Sequence, residues 1–89
     1  MQVRWTEAAL TDLERIRSYI GHFNPSAARR MAGRLIEAAN SLDSFPERGR
    51  SIGRGRRELT AVWPYVIRYR IADEHVVILR VRHGARAPE

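Results

Sequence analysis

From Tyr65 to His83 the chain alternates between two kinds of residue in two successive runs, and this alternation restricts the fold more than any other feature. Tyr65, Ile67, Tyr69 and Ile71 share one face of an extended segment, with Val66, Arg68 and Arg70 on the other. Val77, Leu79, Val81 and His83 share one face of a second segment, opposite Val76, Ile78, Arg80 and Arg82. A period of two predicts a pair of half-buried strands. For the two odd-numbered faces to coincide, directly opposed residues must both be odd-numbered. The connecting loop then holds an odd number of residues unless a bulge intervenes. Ala72-Asp73-Glu74 fits as a three-residue loop. Arg68 and Arg80 then lie opposite or diagonal, with Arg70 and Arg82 nearby, on a face turned away from the core.

The first half of the chain has a different period. A short strand is expected over residues 2–5, followed by Thr6 as a helix N-cap and Glu7 at the positive end of the helix dipole. Ala9, Leu13, Ile16, Ile20 and Phe23 recur at helical spacing, and Gly21 reads as a stop after about Ile20. Asn24-Pro25 restarts a helix with a cap residue and a proline at the first helical position. Ala28, Ala32, Leu35, Ala39 and Leu42 form its stripe, and Gly33 in its interior suggests close packing on the first helix. The two helices, linked by about four residues, form an antiparallel hairpin. Phe45-Pro46 ends it, and residues 47–55, with three glycines and three arginines, read as a surface loop. A further strand over residues 56–62 precedes the alternating pair. The expected fold is therefore α+β, β-α-α-β-β-β, with a helix hairpin packed on a twisted, mainly antiparallel sheet.

Eighty-nine residues supply one core, so residues 1–89 are expected to be a single domain. Without cysteine there are no disulfides, thiolate metal sites or thiol nucleophiles, and three scattered histidines offer no metal-ligand spacing. Neither a metal nor an organic cofactor is expected. No leader and no membrane-length apolar run is visible, so a soluble cytoplasmic protein is expected. The net charge of +6 comes from 16 arginines and no lysine. Residues 1–45 hold six arginines against five acids, whereas residues 46–89 hold ten against five. The basic half should attract an acidic partner. Arg15 and Arg17 are interspersed with Asp12 and Glu14, so no helix offers the basic face that DNA reading in the major groove requires.

At this point the residues resemble the RelE/ParE toxin superfamily, in its ParE-like branch. The resemblance runs from Trp5 to Arg86. It is carried by Ala9, Asp12-Leu13 and Tyr19-Ile20, by Asn24-Pro25 with Ala27-Ala28, and by Phe45-Pro46 and Gly49-Arg50. Arg57, Leu59, Pro64-Tyr65 and His83-Gly84-Ala85-Arg86 complete it. The resemblance implies a toxin of a two-gene toxin–antitoxin module, neutralised by a ParD-like antitoxin whose flexible acidic segment folds onto it. In the ParE branch such a toxin inhibits DNA gyrase by binding; in the RelE branch it cleaves messenger RNA on the ribosome.

RNA cleavage through the 2′-hydroxyl needs a proton acceptor, a proton donor and cations for the phosphate. RelE-type ribonucleases carry an arginine just after the position of Tyr65, where this chain has Val66. Their lysines on the preceding strand are absent, although Arg56 and Arg57 preserve charge, and no terminal tyrosine follows Arg86. Binding without chemistry is therefore expected, and direct nucleic-acid binding is not. The residues expected to meet target or antitoxin are Arg50, Arg56, Arg57, Arg68, Arg70, Arg80, Arg82 and Arg86. If the chain is instead a ribonuclease, Arg86, His83 and Arg57 are its candidate catalytic groups. Trp5 and Trp63 are read as packing anchors, with Trp63 a candidate for partial exposure.

Overall fold

The computed structural model describes residues 1–84. Strand β1 (Gln2–Trp5) leads into helices α1 (Glu7–Phe23) and α2 (Pro25–Asn40). A 3₁₀ turn (Ser41–Asp43) follows, and then strands β2 (Arg50–Gly53), β3 (Arg56–Val62), β4 (Tyr65–Ala72) and β5 (His75–His83). The five strands form one sheet in the order β1-β5-β4-β3-β2. β1 pairs with β5 in parallel; the other pairings are antiparallel. The helix hairpin covers one face of the sheet. The α+β class, the order of elements and the helix hairpin are as expected, with one strand added.

That strand is β2, where the sequence reading placed only loop. Gly53, Arg54 and Gly55 all have positive φ (93°, 58° and 74°), which folds the chain back onto β3 as an edge hairpin. The glycines mark the turn of a hairpin, not an unpaired loop. Tyr69 anchors the segment before it. Its buried hydroxyl donates to the Pro46 carbonyl (2.7 Å) and accepts from the Gly49 amide (2.8 Å). A Cβ on Gly49 would lie 2.7 Å from both the Glu58 carbonyl oxygen and that hydroxyl, so only glycine fits there.

The hairpin α1–α2 is tighter than expected. α1 runs on through Gly21 to Phe23, and Asn24 alone joins the helices. Its amide donates to the Ile20 carbonyl (2.8 Å), and its side-chain oxygen accepts from the Ala27 amide (3.0 Å). One Asn thus ends one helix and caps the next. Gly21 is therefore no stop; it sits inside α1, where a Cβ would just touch Ala28. Phe23 leaves the apolar stripe and is 72% exposed. Gly33 is exposed as well, with nothing within 4 Å of the Cβ it lacks. Close packing comes from Ala28, Ala32 and Ala39 instead.

The core lies between this hairpin and the sheet. Leu35, Leu42, Ile67, Tyr69, Val76 and Ile78 are fully buried, each large aliphatic contributing roughly 1.5–3 kcal/mol. Val76 and Ile78 overturn part of the expected strand pattern, which assigned that face to Val77 and Leu79. The turn holds two residues, Asp73-Glu74, since Ala72 pairs with His75. Ile71 then opposes Val76, and Tyr69 opposes Ile78. A bulge between Arg68 and Tyr69 resets the register, so that Ile67 opposes Val81, Tyr65 opposes His83, and Arg68 directly opposes Arg80. Each half of β5 obeys the alternation, but in opposite phase.

Candidate binding face

The sheet face away from the helices carries most of the arginines on the strands, because core positions alternate with Arg56, Glu58, Arg68, Arg70 and Arg82. Two adjacent rows cross it. In the first, Glu58 on β3 faces Arg68 on β4 and Arg50 on β2. Arg68 places Nη2 2.8 Å and Nε 3.2 Å from Glu58 Oε2, with side chains only 11% and 16% exposed. Arg50 Nη2 lies 3.7 Å from Glu58 Oε1 and is far more exposed. In the second row, Arg56 on β3 directly opposes Arg70 on β4. Neither bonds to an acid among the described residues, and the Nε of Arg56 is buried without a hydrogen-bond partner.

Arg80 has a different partner. β1 covers only His75–Ile78, so the rest of β5 has a free edge. Asp12 on α1 closes that edge. Its carboxylate accepts from the Val81 amide (2.9 Å) and, through both oxygens, from Arg80 Nε (2.8 Å) and Nη2 (3.0 Å). Burial raises the Asp12 pKa. The hydrogen bonds from Arg80 and Val81, with the charges of Arg80 and Arg82, outweigh burial and hold it below the ordinary value of 3.8.

The remaining predicted residues are spread apart. Arg57 points to the helix side beside Tyr69 and donates to the Gly49 carbonyl (2.7 Å), bracing the segment before β2. Arg82 faces outward opposite Val66. The two line a cavity of about 90 Å³ with Glu58, Arg68 and Gly84. His83 lies on the helix side, its ring edge-on to Tyr65 at 5.6 Å, with Nδ1 buried and without a partner among the described residues. It borders a cleft of about 200 Å³ shared with Asp12, Ile16 and Tyr19. Arg57 and His83 oppose Tyr69 and Tyr65, which stand roughly 13 Å apart along β4. They cannot meet at one phosphate, and Arg86 lies outside the described residues. Of the predicted binding set, Arg50, Arg56, Arg68, Arg70 and Arg82 do share the outward face.

Two acids went unassigned as arginine partners in the sequence reading, Glu58 and Asp12, which hold Arg68 and Arg80. Glu58 had a usable signal, as the lone acid between Glu47 and Asp73. Trp5 packs against the core as expected, but Trp63 is 74% exposed at the β3–β4 turn. Tyr19 and Phe23 form an exposed aromatic pair, centroids 5.5 Å apart. Among the described residues no cluster of acids and histidines could hold a metal ion, and no helix is long and apolar enough to cross a membrane.

A helix hairpin on one face of a small sheet, with arginines on the other, is an architecture shared with chains of type II toxin–antitoxin systems. The chain belongs to the family of ParE toxins of type II toxin–antitoxin systems, whose model matches residues 3–88. It is 59% identical over 85 residues to Toxin RelE2 of Caulobacter vibrioides, covering 96% of this chain and 97% of the relative. It is 39% identical over 85 residues to a putative toxin, Y4kP, of Sinorhizobium fredii, covering 93% and 88%. Among solved structures it is similar to a chain of the chromosomal ParDE toxin–antitoxin system of P. aeruginosa (TM-score 0.82, 27% identity, 93% and 95% covered). It is also similar to a chain of the RelBE2 toxin–antitoxin complex of Mycobacterium tuberculosis (TM-score 0.69, 31% identity, 92% and 95% covered).

Proposed function

We propose that this toxin acts in the cytoplasm by binding, in the ParE manner, with DNA gyrase as its target, and that a ParD-like antitoxin neutralises it through a flexible acidic segment. One observation carries the reading. Of the described candidate catalytic groups, Arg57 is committed to a backbone carbonyl and stands too far from His83 to share a phosphate with it, while Arg68 and Arg80 are held by Glu58 and Asp12. Val66, which lines the outward cleft, has no charge to offer a phosphate. An antitoxin partner is supported by the two structural relatives, each from a toxin–antitoxin system.

Messenger-RNA cleavage is the second reading. The relative at 59% identity bears a RelE name. Glu58, with Arg68 and Arg82 beside it, is also a carboxylate positioned to take a proton near cations. One experiment separates the two. Toxin freed of antitoxin is assayed for inhibition of gyrase supercoiling and for cleavage of ribosome-bound messenger RNA. Supercoiling inhibition with intact RNA is expected; cleaved RNA with unaffected gyrase would overturn the proposal.

A further inference from the structure

Arg56 and Arg70 are the outward pair that the fold leaves electrostatically unfinished. They stand directly opposite each other on β3 and β4, at the closest lateral spacing a sheet allows. Arg4 on β1 belongs to the same row, across Val77. Among the described residues the nearest acid on the same face, Glu58, is held by Arg68 and Arg50. Asp73 and Glu74 occupy the β4–β5 turn beyond Ala72, and no ion pair joins them to Arg70 or Arg56. The buried Nε–H of Arg56, lacking an acceptor, is the costly element. A buried donor left unsatisfied loses its water contacts and gains nothing in return. Like charges placed opposite each other, with neither bonded to an acid among the described residues, leave the pair open to an anion from outside.

From this arrangement we infer that Arg56 and Arg70 form a carboxylate-binding site for an acidic peptide segment of a partner. A guanidinium fork matches the two oxygens of a carboxylate, the geometry Arg80 already uses on Asp12. The outward face favours a peptide over a single-stranded nucleic acid. Among the paired strand residues on it, His75 at the β4–β5 end is the one ring, and no Phe, Tyr or Trp is present. Single-stranded nucleic acid favours a platform of several rings for its splayed bases, which one imidazole does not supply. The acidic peptide as ligand rests on the antitoxin reading above; the anion site itself does not.

The test uses the full chain and two labelled probes of matching charge, a short oligoglutamate peptide and an oligouridylate, with affinities read by fluorescence anisotropy. Oligoglutamate should bind more tightly, in a salt-sensitive manner. Arg56→Gln and Arg70→Gln should each weaken it about tenfold, the scale of one charge-assisted hydrogen bond. Arg17→Gln, which removes a charge on α1, should leave it unchanged. Melting temperatures of the two sheet variants should hold or rise, because like-charge repulsion is relieved; a purely structural pair would lower them. The site is overturned if both variants bind oligoglutamate as the wild type does, or if they lose binding only by losing stability. Tighter oligouridylate binding through the same arginines overturns the peptide assignment. Oligoglutamate binding through this pair, combined with no effect on gyrase, would sink the gyrase reading and leave the site standing.

Discussion

Two neighbouring rows on one sheet face hold the same kind of side chain in opposite surroundings. In the first row Glu58 gathers Arg68 and Arg50, and at the free edge of β5 Asp12 holds Arg80. Two residue pairs along the same strands, Arg56 and Arg70 face each other, and neither bonds to an acid among the described residues. The difference teaches that an arginine count says little about binding. The acids decide, by neutralising some cations inside the fold and leaving others to act on partners. Removing the acids should blur the contrast between the rows, and removing the surplus cations should erase it.

The largest effect is expected at Asp12. Asp12→Ala removes a two-oxygen ion pair and strands the Val81 amide at the β5 edge. Breaking one side of a fully buried pair costs about 3–5 kcal/mol, but Arg80 is partly exposed, so about 2–3 kcal/mol is expected from urea unfolding. The sign of the pH dependence follows from the depressed Asp12 pKa. Its stabilisation is present above the unfolded value near 3.8 and is lost as pH falls through the lower folded value. Asp12→Asn should therefore flatten the acid limb of the stability profile; an unchanged limb would show that Asp12 does not carry it.

Glu58→Gln is expected next, at about 1–2 kcal/mol, because the amide keeps an acceptor near Arg68 but loses the charge both arginines meet. It should also give the first row the positive surplus of its neighbour and raise oligoglutamate affinity severalfold. Lower stability with unchanged affinity would confine Glu58 to a structural role. Arg57→Met tests the arginine turned to the helix side. Losing its bond to the Gly49 carbonyl should cost about 1 kcal/mol, with no change in oligoglutamate binding.

The parts of this molecule legible in the sequence are those ruled by period. The helix stripes predicted buried Ala28, Leu35, Ala39 and Leu42, and the alternation predicted buried Tyr65, Ile67 and Tyr69. The bulge in β5 was not legible, since one extra residue leaves both halves alternating while shifting Val76 and Ile78 to the core. The edge strand β2 was hidden for a related reason: four residues are too few to display a period, and the flanking glycines suit loop and turn equally. The outward arginines were placed correctly as a group. Their division was not, because it depends on Asp12, 68 residues from Arg80 along the chain. Sequence spacing carries no information at that range.

The smallest effect bears most directly on the comparison. Like charges directly opposed on adjacent strands cost a few tenths of a kcal/mol, up to about 1. Arg56→Gln and Arg70→Gln, made singly and together, form a double-mutant cycle whose coupling measures that repulsion alone. The wild-type pair should be unfavourable by roughly 0.3–0.5 kcal/mol at low ionic strength, fading above about 0.5 M salt as the screening length falls below the strand spacing. The same cycle on Glu58 and Arg68 should have the opposite sign and survive salt better, since both side chains are mostly buried. If the Arg56–Arg70 coupling proved favourable, the two guanidinium planes would be stacking in mutual support. The row would then need no outside anion.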